Sequence, residues 1–397
     1  GLAILGAWLT SLGVITGAGE EEDRLRAFDE MQGTQNYSLR VGDYFYSLDW
    51  AAPAAMPFFA GVEFYEALVK GGEKDPLSKA ADALSNMTEP AFNMSMLQGI
   101  NSTIRSAKYS DQNEIAAIGQ NAVANYLSQY VPTLAGQVAR TADPVRRNAY
   151  YNDKNKNLPQ AVQVALNRNI AKLPKFSEDL PAYIDQWGRE ERNDNWQARA
   201  IENFLSPGFV SKTNTTKVDK ALRELYDKTG ESTLLPSKAP RYISVEGNNI
   251  YLTAKQYEKY AKEKGQTSYK YLDNLTSNKE YSKLSDEQKT SLVKKVYEIA
   301  NAEAKSKVTP YKPSSEVQKI KDAQKQGISI SDYLIIKETA DTRGKDESGN
   351  YVNKPNNSID QEEAYRRLEQ TNLTAKQKEY LYFNAFNTQW KNLPKIK

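Results

Sequence analysis

The strongest constraint on the fold is a local signal repeated along the second half of the chain. It is a Ser or Thr followed three residues later by Gln, at the head of an apolar-periodic run. Thr253 with Gln256, Ser285 with Gln288 and Thr374 with Gln377 all read this way. In each, the hydroxyl is placed to accept from an orphan backbone N–H of a new helix while the amide side chain turns back to the cap. The pattern predicts helices over residues 254–265, 285–307, 314–327, 329–339, 358–370 and 374–390. An amphipathic helix over 213–229, built on Val218, Leu222, Leu225 and Tyr226, precedes them, with short helices and turns over 158–174 and 179–207.

Two hairpins interrupt this helical reading. In YSLRVGDYFYSLDW, residues 37–50, Tyr37, Leu39 and Val41 alternate with polar residues before Gly42-Asp43 and a second aromatic run. In PRYISVEGNNIYLT, residues 240–253, Asn248-Asn249 is the expected turn. The fold class expected is mainly α: helical modules with two small β-hairpins, packed as an oligomer.

The front of the chain is apolar where the back is polar. Residues 2–16, LAILGAWLTSLGVIT, are nearly all apolar or small, and four acids, Glu20 to Asp23, follow at once. Leu2, Ile4, Leu5, Trp8, Leu9, Leu12, Val14 and Ile15 are the candidate membrane-interacting residues, with Gly6 and Gly13 expected to let a helix approach another closely. The alternative is a helix buried between subunits. A second apolar run over 51–69 is broken by Pro53 and Pro57 and is expected to enter a helix near Pro57. Helices are also expected over 76–85, 89–105 and 111–140, where Ile115, Ile118, Ala122, Tyr126 and Val138 are the candidate oligomer-packing residues. The chain opens on Gly1 inside an apolar run with no basic lead, which reads as part of a longer polypeptide and not as a signal peptide.

A composition shift after Asp143-Pro144 marks an expected linker over 144–157, dividing an apolar helical module (1–143) from a polar, tyrosine-rich one (158–397). At 397 residues the chain exceeds the usual span of one core. Its 39% hydrophobic content leaves a core expected to be thin or shared with partners.

Composition also removes chemistry. The chain has no Cys and no His, which excludes disulfides, thiolate or imidazole metal sites, cysteine nucleophiles and Ser–His triads. Clustered carboxylates such as Glu20 to Asp23, or Glu190 with Glu191, remain, and read as solvated surfaces. Asp346, Ser348 and Asn350 alternate like calcium ligands, but the sixth and twelfth positions fall on Tyr351 and Asn357, so a polar turn is expected. A formal charge of +3 argues against nucleic acid as the main ligand. No enzyme activity, cofactor or metal is expected.

The string MQGTQNYSLRVGDYFYSLDWAAPAAMPFFAGVEFYEAL, residues 31–68, resembles a block in long phage virion proteins of the tail tape-measure type. YVPTL at 130–134 with QVARTADPVRR, NFLSPGF at 203–209 and LTAKQKEYLY at 373–382 follow in the family's order. These motifs are structural, so the resemblance carries over no catalytic residue. It implies the C-terminal part of a protein that fills the tail tube, plugs the tail tip and leaves with or before the genome. It also implies a few parallel copies, commonly three. The implied partners are further copies of the chain, tail-tube or tail-tip proteins, the host membrane after release, and passing DNA without sequence specificity. The implied location is the tail lumen or tip, then the host envelope. An internal capsid or ejection protein and a peptidoglycan-degrading enzyme are the alternatives.

Overall fold

All three expected capping pairs form. Ser285 and Gln288 close a reciprocal box, as do Thr253 with Gln256 and Thr374 with Gln377. The structure, a computed structural model, describes residues 2–17, 19–20, 22–48, 58–59, 61–62, 65–66, 69, 141–149, 159–171, 173, 175–197, 199–200, 210–340, 344–345, 351–352 and 361–386. The described residues are mostly helical with small antiparallel sheets, and the chain divides into two compact units. One comprises Gly1–Asp185, Glu190–Thr215 and Thr253–Glu258, the other Gln186–Arg189, Thr216–Leu252 and Lys259–Lys397.

The first unit begins with helix α1 (Leu2–Ser11), which ends earlier than residue 16 for a local reason. Gly13 adopts φ 69°, Val14 N donates to Leu9 O at 3.0 Å and Gly13 N to Thr10 O at 2.9 Å. This is a Schellman stop, open to Gly at little steric cost. Gly13 is therefore a helix terminator and not a helix-packing residue. Beyond it the chain is extended: Arg40 N donates to Val14 O at 2.7 Å, Thr16 N donates to Ser38 O at 3.0 Å, and Ile15 bridges Leu39.

Helix α2 (Asp23–Met31) buries Leu25 and Phe28 and leads into strands β1 (Ser38–Val41) and β2 (Tyr44–Ser47). Their register, Val41↔Tyr44, leaves Gly42-Asp43 as a two-residue loop with φ 60° at Gly42, the position where a type II′ turn takes Gly. A third strand, β3 (Val210–Lys212), completes the sheet against β2. Under it Ile15, Tyr37, Phe59 and Val62 form a core joined by Leu9, Leu39, Leu48 and Phe58, with Tyr37 and Phe59 edge-to-face at 5.1 Å. Residues 58–59, 61–62, 65–66 and 69 are helical, as expected after Pro57.

The expected linker is different over its described part. Residues 143–149 are paired backbone: Arg146 N donates to Glu191 O at 3.0 Å, Asn148 N to Pro181 O at 2.8 Å, and Asn193 N to Pro144 O at 2.9 Å. Composition there records a polar ladder, since short bridges use the backbone and leave side chains free to be Asn, Arg or Asp. Residues 150–157 lie outside the described set. Helix α3 (Gln160–Ile170) follows.

The second unit is helical. Helix α4 (Lys217–Thr229) starts from a Thr216–Asp219 capping box and stops at Gly230, φ 67°. Strands β4 (Tyr242–Val245) and β5 (Asn248–Tyr251) pair with Val245↔Asn248, so the turn is Glu246-Gly247 and not Asn248-Asn249. Glu246 and Gly247 have φ 51° and 81°, and Gly takes the second left-handed position that a type I′ loop needs.

Helix α5 (Ala254–Thr276) runs through Gly265 instead of ending there. Then come α6 (Lys279–Ser282), α7 (Asp286–Val308), α8 (Ser315–Lys325) and α9 (Ile330–Thr339). A short strand pair, β6 (Gly344–Lys345) and β7 (Tyr351–Val352), adds a hairpin that was not expected. Helices α10 (Gln361–Glu369) and α11 (Ala375–Phe386) follow.

Helix α9 packs against α7, α8 and α11, and buries Ile330, Tyr333, Leu334, Ile335 and Ile336 around its circumference. The second unit thus has a filled core rather than a thin one. Three of its tyrosines place the ring against the protein and bond the hydroxyl at the edge. Tyr271 reaches Glu303 at 3.0 Å, Tyr297 reaches Leu234 O at 2.9 Å and Tyr380 reaches Lys319 O at 2.8 Å.

Candidate functional site

The apolar residues singled out at the front of the chain divide into two sets. Leu2, Ile4, Leu5, Trp8 and Leu12 are exposed, with Ile4 at 74% and Trp8 at 57%. Spacings of three and four place Ile4, Leu5, Trp8 and Leu12 along one side of the helix. Leu9 instead packs inward on the core, Ile15 is buried at 4%, and Val14 is half-buried beside β1. Val14 and Ile15 leave the outward set because the Schellman stop turns the chain into the sheet, and Leu9 because it lies on the inner side of α1.

The opposite side of α1 sits close to the protein. A Cβ at Gly6 would lie 2.1 Å from Phe58 O and 3.3 Å from Val62 Cγ2, so only Gly permits this approach. The expectation for Gly6 as a close-packing residue holds. With ten residues α1 is about 15 Å long, half of a hydrocarbon core of about 30 Å. Among the described residues no helix is long and apolar enough to cross a membrane.

Comparisons of the chain with protein-family models, curated proteins and solved structures give no match. The functional reading rests on the residues themselves.

Three acids of the singled-out clusters, Asp23, Glu190 and Glu191, meet arginines. Glu191 meets Arg146 at 2.7 Å, and the Arg146 guanidinium also lies 4.4 Å above the Tyr183 ring. Burial disfavours the charge on Arg146, but Glu191, with Tyr183 and Glu30 also contributing, raises its pKa on balance. Glu190 lies 4.0 Å from Arg192, and Asp23 pairs with Arg26. Beneath the 143–149 ladder, Asp143 accepts from Arg147 at 2.8 Å, Val145 N at 3.0 Å and Ser177 at 2.9 Å. Burial opposes its charge, and the three donors together still hold the carboxyl below its ordinary range. These acids do structural work. Among the described residues no group of three or more acids could hold a metal ion.

Ile115, Ile118, Ala122, Tyr126 and Val138 lie outside the described residues, as do YVPTL and NFLSPGF. The sequence reading missed Asp219, whose carboxylate is fully buried. It accepts from Trp187 Nε1, Thr216 N and Thr216 Oγ1, each at 2.8 Å. Its signal was present as Thr-x-x-Asp ahead of an apolar run.

Proposed function

We propose that this chain is the C-terminal part of a virion structural protein of the phage tail tape-measure type. In this reading it plugs the tail tip as a homotrimer among tail-tube and tail-tip proteins. On infection it is released, and it helps the genome past the host membrane with no sequence-specific hold on the DNA. What supports the family is the ordered set of structural motifs. What supports the membrane step is one observation, the uncharged outward row of α1.

Five large apolar side chains already stand 43–74% exposed there. Removing the rest of their surface from water is worth roughly 1 kcal/mol each, about 5 kcal/mol together. A partner chain in the stored particle and lipid after release both supply such a surface. The same residues serve two successive neighbours.

Two measurements test the reading. Fractionating disrupted particles places the chain with tails; recovery with the capsid interior selects the internal-ejection alternative. Dye leakage from liposomes follows the membrane step, with Leu5→Glu expected to abolish leakage. No leakage from unmodified protein known to have left the particle confines it to a structural role.

A further inference from the structure

No residue between Leu2 and Gly19 carries a side-chain charge, and acid follows at once. Glu20, Glu21, Glu22 and Asp23 with Arg24 and Arg26 give residues 20–26 a formal net charge of −2. Helices drawn to membranes by charge carry Lys or Arg along the polar face and gain from anionic lipid. This helix has none.

The seat of α1 decides its orientation. Just beyond the Schellman stop, Val14 and Thr16 are bonded to β1. Tyr37 N then donates to Gly17 O at 2.9 Å, and Gly17 N donates to Glu66 Oε1 at 2.8 Å. The inner side is occupied by Phe58 and Val62 up to the close contact at Gly6. A helix crossing end-on needs lipid all around it, and this one has protein along one side. The outward row meets an apolar surface without any movement of the helix.

We infer that α1, still seated on its sheet, lies in the plane of a bilayer whose headgroups carry no net charge, and that anionic lipid opposes it. This rests on the membrane step proposed above and names the lipid that step uses. The outward row enters the acyl boundary, and the acidic segment stays among the headgroups, where like charge repels.

Flotation of the full chain with vesicles tests this. Phosphatidylcholine vesicles are expected to bind it with little dependence on salt, and Leu5→Glu to remove the binding. Adding phosphatidylserine is expected to weaken binding about fivefold per net negative charge near the surface at low salt. High salt is expected to restore it by screening. Tighter binding to the anionic vesicles, or equal binding at low salt, overturns the lipid assignment and leaves the membrane step standing. Binding to neither vesicle overturns both. Orientation is read from Leu2→Cys and Leu12→Cys, each the sole thiol of a chain without cysteine, labelled and quenched by lipids spin-labelled at graded depths. Equal depths support an in-plane helix; depths differing by about 15 Å overturn it.

Discussion

The indole Nε1 of Trp187 donates to Asp219 Oδ1 at 2.8 Å, with both side chains closed to solvent. The same carboxylate closes the capping box at the head of α4, so one acid fastens a Trp-bearing loop to a helix N-terminus. Asp219→Ala removes the cap and strands a buried N–H, at a cost of about 2–4 kcal/mol. Asp219→Asn keeps an acceptor and is expected to cost less. Urea unfolding midpoints rank the two; equal and mild effects would count against the arrangement.

Gly265 lies inside α5, where Ala ordinarily stabilises by about 0.4–1 kcal/mol. Here a Cβ would fall 2.0 Å from Gly188 N and 2.4 Å from Trp187 C, backbone atoms that cannot rotate away. Gly265→Ala is therefore expected to destabilise by about 1–3 kcal/mol or more, the opposite sign. A thermal scan distinguishes the signs directly.

Alkaline pH is expected to unfold the second unit ahead of ordinary backbone effects. Burial, with Glu303 alongside, pushes Tyr271 from 10.0 up to about 12, and burial also raises Tyr281 and Tyr333. The unfolded chain loses these protons first, so it binds fewer protons than the folded chain from about pH 10 to 12, and stability falls as pH rises through that window. Tyr271→Phe should flatten the fall. Circular dichroism and phenolate absorbance, followed together, should change in one step.

Lys175 holds φ 72° and ψ −41°, a conformation costly for any residue with a Cβ. Replacing it with Gly relieves strain of about 1–3 kcal/mol against an entropic cost of up to about 1 kcal/mol. Lys175→Gly is expected to raise the thermal midpoint, and Lys175→Ala to leave it unchanged. A lowered midpoint for the glycine variant refutes the strain.

Signals spanning a few residues were legible in the sequence. The capping boxes and the Gly42 turn depend on chemistry three or four residues wide, and both form where the pattern places them. The second turn is misplaced at Asn248-Asn249 on sequence alone, because the Asn pair outweighs there the Gly247 that takes the second left-handed loop position. Long-range arrangements were not legible. Nothing local announces that β3 pairs with β2, or that Gly265 keeps its helix while accommodating the backbone of Gly188. For the candidate site, the apolar residues of α1 were readable but their facing was not. That facing depends on Gly13 ending the helix and on Phe58 occupying one side, and Phe58 is far from α1 in sequence.

The sheet of the first unit has a consequence for order of assembly. Gln35 Nε2 bonds Ser211 Oγ at 2.6 Å across a separation of 176 residues, and Thr213 bonds Asp43 O across 170. Closing so long a loop is slow and entropically costly. A ribosome therefore releases α1 and its hairpin well before the strand that finishes their sheet exists. Through that interval the outward leucines and Trp8 emerge on an incomplete support, which makes this the stage at which exposed apolar surface is greatest.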